Sequence, residues 1–357
     1  LIRMRRGVVQ KITSQRTGIS ELLVELEGGL QKAVNYDSLT GEVVAGDEVI
    51  LNTTAVYKKL GTGGAHFVLA NLSNTEIDVP EAGHIMKLRY TPYQVKVLSV
   101  EEQDSPYAEL MQQANSLEGT PVIIGTLHSM LAPAAAALKK LANKQLKVVY
   151  LMTDGAALPL TLSRLVWELR EKGLIQHTVT CGHAFGGDLE AINVYTGLLA
   201  CKHVLGADVI LVAMGPGIVG SGSRFGFTGV EQGEIINAVN LLKGKPIAIP
   251  RISFADARER HRGLSHHSRT ALGTIALTKA TVVLPKLVPE KLELVLQQVE
   301  ESTIAHKHDV AIIEGQPALA ALADYQVKVT TMGRHVEQDP EFFLAAGAAG
   351  VYVASLI

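Results

Sequence analysis

The segment RISFADARERHRGLSHHSR, residues 251–269, holds five arginines, three of the chain's twelve histidines, an aspartate and a glutamate. Arginine's planar fork suits carboxylate and phosphate, and histidine moves protons near neutral pH. The mixture therefore suggests an anion receptor with acid–base groups attached. On this reading Arg251, Arg258 and Arg262 hold the anion, and His261, His266 and His267 transfer protons. The histidines lack the i, i+4 spacing that places two ligands on one helical face, and Gly263 interrupts any single helix. To hold a divalent metal, Asp256, His261 and one of the paired histidines would have to converge with Asp154 or His183 from neighbouring strands. The competing account is a solvated loop in which Asp256 and Glu259 pair with Arg260 and Arg262, and Ser268 caps the next helix.

A second chemical signal is the glycine-rich stretch from Gly215 to Gly229, which follows the apolar run ADVILVAM. Gly215, Gly217, Gly220 and Gly222 allow close approach of backbone amides to a ligand, and the helix expected afterwards begins with a positive dipole end. The spacing matches neither the dinucleotide fingerprint nor the P-loop, so no nicotinamide or P-loop nucleotide signature is present. Asp154 in TDGAALP and His183 in CGHAFGG stand at further strand ends; Asp188 is explained as a helix cap. Cys181 and Cys201 sit in apolar surroundings and are expected to be core, and Glu314 and Arg334 are rim candidates.

These residues need a scaffold that brings strand ends together. From about Ser105 the chain alternates apolar runs with helical patterns. The strands are expected at 121–125, 147–153, 177–182, 207–214, 246–252, 281–284, 309–313 and 326–331. Helices fit around 130–143, 158–172, 188–204, 229–243, 269–279, 289–302, 317–323 and 341–355. Such βα alternation implies a mainly parallel, Rossmann-like doubly wound α/β sheet, with a (β/α)8 barrel as the alternative. Both architectures place ligands at the carboxyl ends of the strands, where the polar segments fall. Before this half, RGVVQKI, ELLVELEGGLQKAVNYD, GDEVILNTT and AHFVLANL after GTGG read as short strands of a small antiparallel β-barrel or sandwich. The expected division is residues 1–100 for the β-rich domain and 101–357 for the α/β domain that carries the site.

The 357 residues are 47% hydrophobic with a net charge of −2, which excludes a disordered chain and gives no overall basic field for nucleic acid. Lys87, Arg89, Tyr90 and Tyr93 form a small basic and aromatic group better suited to an interdomain contact than to a nucleic-acid strand. The most apolar runs are shorter than a membrane span, and no secretory pattern is evident, so a cytoplasmic protein without a membrane partner is expected.

The runs TDGAALPL, GHAFGGDLEAINVY, MGPGIVGSGS, RISFADARERHRGLSHHS and TTMGR resemble an uncharacterised bacterial domain-of-unknown-function family, found mostly in Gram-positive lineages. The resemblance implies no established activity, so the function is unknown from sequence. The reading carried forward is an enzyme acting on a small anionic metabolite, a phosphorylated one included, with Asp154, His183 or Asp256 orienting the histidines or binding metal. The alternative is a non-catalytic metabolite sensor or scaffold whose β-domain contacts nucleic acid or a protein. A third role for the 251–269 segment is a homo-oligomer interface.

Overall fold

The computed structural model of the chain describes every residue except Thr62 and Pro80; Thr62, part of the GTGG turn expected before the last barrel strand, lies outside the described residues. The chain divides into two compact units, Leu1–Val97 and Leu98–Ile357.

The first unit is built from β1 (Met4–Arg16), β2 (Ile19–Leu26), β3 (Gly29–Tyr36), the one-turn α1 (Asp37–Thr40), β4 (Glu48–Asn52), the one-turn α2 (Thr54–Tyr57) and β5 (His66–Asn71). The five strands close into a barrel in the order β1-β2-β3-β5-β4. All pairs are antiparallel except β3 with β5, which is parallel. Alternation along β2 and β4 sends Leu22, Val24, Leu26, Val49 and Leu51 inward to a small core with Val9 and Ala33. The hairpin β6 (Ile85–Lys87) and β7 (Val95–Val97) follows. Lys87 in it is fully buried and Tyr90 between its strands fully exposed, so the basic and aromatic group does not present one face.

The second unit runs through α3 (Ala108–Gln113), β8 (Pro121–Ile124), α4 (Leu131–Leu141), β9 (Val148–Thr153), α5 (Arg164–Glu171), β10 (His177–Cys181), β11 (Leu189–Ala191) and α6 (Val194–Leu199). It continues through β12 (Val209–Met214), α7 (Glu231–Leu241), β13 (Lys245–Ala248), the two-residue strands β14 (Ile252–Ser253) and β15 (Gly263–Leu264), and α8 (His266–Thr270). It ends with β16 (Thr281–Pro285), α9 (Pro289–Glu301), α10 (Ile304–Lys307), β17 (Asp309–Ile313), α11 (Gln316–Asp324) and α12 (Pro340–Ala354). Eight strands form one sheet in the order β11-β10-β9-β12-β8-β13-β16-β17, and every pair is parallel. It is an open sheet; the barrel alternative is not what the chain adopts.

Both faces of this sheet are buried because its strands are apolar at consecutive positions, not alternate ones. Ile123, Tyr150, Leu211 and Val283 join one core with residues of α4, α5, α11 and α12. Their neighbours Val122, Val149, Ile210 and Val282 join the other with residues of α6, α7, α9 and α10. The division follows from right-handed crossovers: β8 to β10 steps one way across the sheet, β11 to β17 steps back, and each direction lays its helices on one face. After the reversal, the loops leaving β12 and β13 rise on either side of β8.

Two expected elements differ. Residues 326–331 form no strand of the sheet, with only Thr331 in an isolated bridge to Arg334, and the eighth strand is instead β11, inside the stretch read as a single helix over 188–204. β11 is only three residues long, too short for periodicity to register, and Asn193 caps α6 immediately after it with its side chain on the Tyr195 and Thr196 amides. Among the described residues no helix is long and apolar enough to cross a membrane.

Candidate functional site

The 251–269 segment folds as a closed loop on the carboxyl end of β13. β14 pairs antiparallel with β15, returning the chain so that His261, in a short 3-10 turn, lies beside the start of α8. Gly263 makes this return with φ +70°, where a Cβ would also strike Gln298 Oε1 at 2.5 Å. Ser265 caps α8: its Oγ accepts from the His267 amide at 3.3 Å and lies 2.7 Å from His261 Nδ1. Ser268, expected as the cap, instead accepts from the Arg251 amide.

His261, His266 and His267 are thereby brought together. Their ring centroids are 4.2–5.0 Å apart, and one nitrogen from each ring lies within 4.8 Å of those of the others. His261 and His267 are buried and His266 is half-buried. His266 Nε2 and both nitrogens of His267 are buried without a hydrogen-bond partner. Burial first, and the positive charge of Arg251 and other arginines second, hold His261 down to about 3 and lower His266. His267 is held down to about 4 by burial, then by His266 and Arg251; the Ser221 backbone acts the other way. The neutral form is thereby favoured in all three rings.

The glycine-rich loop forms the other wall. Phe227 stacks on His267 with ring centroids 4.0 Å apart and planes 7° from parallel. A Cβ on Gly220 would meet His267 Cε1 at 2.9 Å and Phe227 Cβ at 3.0 Å, so glycine is required there for the stack to form. Farther along, Gly222 borders a cleft of about 440 Å³ with Arg224, His266, Arg269, Thr274 and Glu301. Arg224 donates to Thr274 Oγ1 and Arg269 pairs with Glu301, both at 2.9 Å. At its start the loop borders a second cleft, of about 320 Å³, lined by Gly215, Gly217, His128, Lys328 and Thr330. This one lies between the loops leaving β8 and β12, whose following helices cover opposite faces, the usual ligand position in open α/β sheets. There His128 Nε2 is 2.6 Å from Ser163 Oγ, which also caps α5, and burial holds His128 down to about 4.

The expected anion-binding arginines lie elsewhere. Arg251 is buried and reaches Asp256 Oδ2 at 3.0 Å, while Arg258 grips both Asp256 oxygens at 2.9 and 2.8 Å. The hydrogen bonds from Arg258 hold the Asp256 carboxyl well below the usual range, against an opposing effect of burial. Arg334 donates to Asp339, which also accepts from Ser253, and lies 3.9 Å from Asp256. Three arginines and two aspartates thus form one network with an excess positive charge. Arg262 is exposed. Glu314 is exposed and accepts from the Gln316 amide at the start of α11.

Asp154 and His183 meet each other: Asp154 Oδ2 accepts from the His183 amide at 3.0 Å. They stand at the ends of β9 and β10, three and four strands from β13, or roughly 14 and 19 Å at normal strand spacing. Among the described residues the group able to hold a metal is His261, His266 and His267 alone, without Asp154, His183 or Asp256. Cys181 and Cys201 are buried and unbridged.

Arg224 and Glu231 escaped the sequence reading, and Arg269, counted among the five arginines of the 251–269 segment, was not among those chosen to hold the anion. Glu231 opens α7 and accepts from Thr153 Oγ1 at 2.6 Å; burial, with smaller effects from Asp154 and Glu234, pushes it up to about 7. An acid in a first helical turn is so ordinary that sequence alone gives it no weight.

Comparison with curated proteins finds no match. Residues 32–350, which take in β4 and β5 of the barrel with the second half of β3, the whole parallel sheet and both clefts, match the family described as protein of unknown function, DUF3866. The glycine loop and the three-histidine loop both fall inside that match, and the chain belongs to the DUF3866 family.

Proposed function

We propose that this protein is a cytoplasmic enzyme acting on a small anionic metabolite, held in the cleft edged by Arg224 and Arg269 with the histidine cluster as its chemical centre. The carrying observation is that His266 belongs both to the cluster and to the wall of that cleft. The present partners of the two arginines are weak competitors: a partly exposed ion pair such as Arg269–Glu301 contributes only about 0–1 kcal/mol, so an anion can exchange for it. The excess charge of the Arg251, Arg258 and Arg334 network favours an anion further. A Rossmann-like reading of the open sheet expects ligands near the carboxyl ends of its strands, from which the glycine loop and the three-histidine loop both leave. The unbridged cysteines suit a reducing compartment.

The test is a thermal-shift panel of phosphorylated and carboxylated metabolites on the wild type and on Arg224→Ala and Arg269→Ala. One chemical class stabilises the wild type, and each substitution weakens binding roughly 10–100-fold, the effect of about 1.5–3 kcal/mol per charged hydrogen bond. Variants that bind the selected anion as tightly as the wild type would remove the cleft from the reading. Binding without turnover on long incubation would replace the enzyme by a sensor.

A further inference from the structure

We infer that His261, His266 and His267 bind one divalent transition-metal ion, with an open coordination position toward the arginine-edged cleft. Three observations carry this. One nitrogen from each ring lies within 4.8 Å of the others. Imidazoles bound to zinc at about 2.1 Å have their nitrogens about 3.4 Å apart in tetrahedral geometry, so rotations that move each nitrogen by about 1 Å close the site. Second, His267 is 7% exposed and neither of its nitrogens has a hydrogen-bond partner, nor has His266 Nε2. Buried unsatisfied polar atoms are normally avoided, and a metal satisfies one on each ring at once.

Third, the rings are held from outside. Ser265 Oγ lies 2.7 Å from His261 Nδ1 and orients the ring; in the tautomer with the proton on Nδ1, Nε2 is left as the donor to a metal. Phe227 fixes the plane of His267. Three imidazoles without a carboxylate select zinc and its first-row neighbours over magnesium or calcium. Three protein ligands leave a fourth position, the arrangement of catalytic sites. The surrounding arginines oppose a bare dication and favour one that carries an anion. That links the metal to the proposed function, on which only the direction of the open position rests.

The experiment uses untagged full-length protein, stripped with chelator and dialysed against Zn²⁺ or Co²⁺ alone. Expected are one metal per chain and the visible absorption of Co²⁺ bound by nitrogen ligands. Ser265→Ala weakens binding roughly 10–100-fold, as loss of an outer partner does, and His266→Ala and His267→Gln weaken it more. His306→Ala, at an exposed histidine paired with Glu300, leaves it unchanged. Variants that melt like the wild type and keep its metal affinity overturn the inference, as does a folded wild type that takes up no metal. Because no metabolite is present, neither result depends on the anion cleft. An anion bound in that cleft by protein that takes up no metal would uphold the proposed function while overturning this site.

Discussion

Replacing Glu231 by glutamine should remove one component of the pH dependence of stability, the one that weakens the fold as pH rises. The folded state raises this carboxyl from 4.5 to about 7, chiefly because burial penalises its charge. A carboxyl raised in this way keeps its proton in the folded protein while the unfolded chain releases it. At this group the folded state therefore binds more protons between about pH 4.5 and 7, and its contribution to stability falls as pH rises through that window. At about 1.4 kcal/mol per unit, the full penalty above pH 7 is about 3 kcal/mol. Glutamine keeps an oxygen for the Thr153 hydroxyl and has no charge to bury. The variant should match the wild type near pH 4.5 and exceed it at pH 8 by up to about 3 kcal/mol, less about 1 kcal/mol if its amide nitrogen finds no acceptor. Urea unfolding at the two pH values measures this, followed by fluorescence of Trp167, the chain's single tryptophan, which lies in the same unit as Glu231. Parallel pH dependence in the two proteins would refute the argument, because the slope would then come from other groups.

Three other substitutions test the scaffold of the site. Gly220→Ala drives a methyl group into His267 and Phe227; it should cost about 1–3 kcal/mol in urea unfolding and lower metal uptake in proportion to the displacement of His267. Asp256→Asn leaves Arg251 buried without its hydrogen-bonded counter-charge and should cost about 3–5 kcal/mol near pH 7. Because Asp256 is held below its ordinary range, its contribution is present above about pH 4 and is lost as pH falls below that, so the difference between the two proteins should shrink in acid melts. Gln232→Met removes two buried bonds, from Nε2 to the carbonyls of Ile124 and Ile249, and should cost roughly 2–4 kcal/mol by the same unfolding assay.

Much of the scaffold was legible because buried parallel strands are written as continuous apolar runs. VILVAM and VVYLM need no partner to be recognised, since both faces of each strand are covered. Leu189–Ala191 carries no such run, and VKVTT at 327–331 has a strand's composition without a place in the sheet, so pattern and pairing separated at these two places. In the site, the location of the 251–269 segment followed from chain order. The use of its arginines did not, because nothing local distinguishes an arginine aimed at a ligand from one gripping an aspartate five residues away. The histidine cluster was hidden for a related reason. Spacing rules describe ligands on one helix, whereas here a two-residue strand pair returns His261 to the start of α8.

The fit between Gly220 and His267 makes the two loops a single unit of inheritance. A side chain gained at position 220 can be accommodated only if the ring at 267 shrinks or Phe227 gives way, so substitutions at these three positions should appear together among relatives. Paired histidines found after the fifth long strand of a distant homologue would not by themselves mark this site. The informative sign is their occurrence together with a residue lacking a side chain some 47 positions earlier, in a loop that belongs to a different strand.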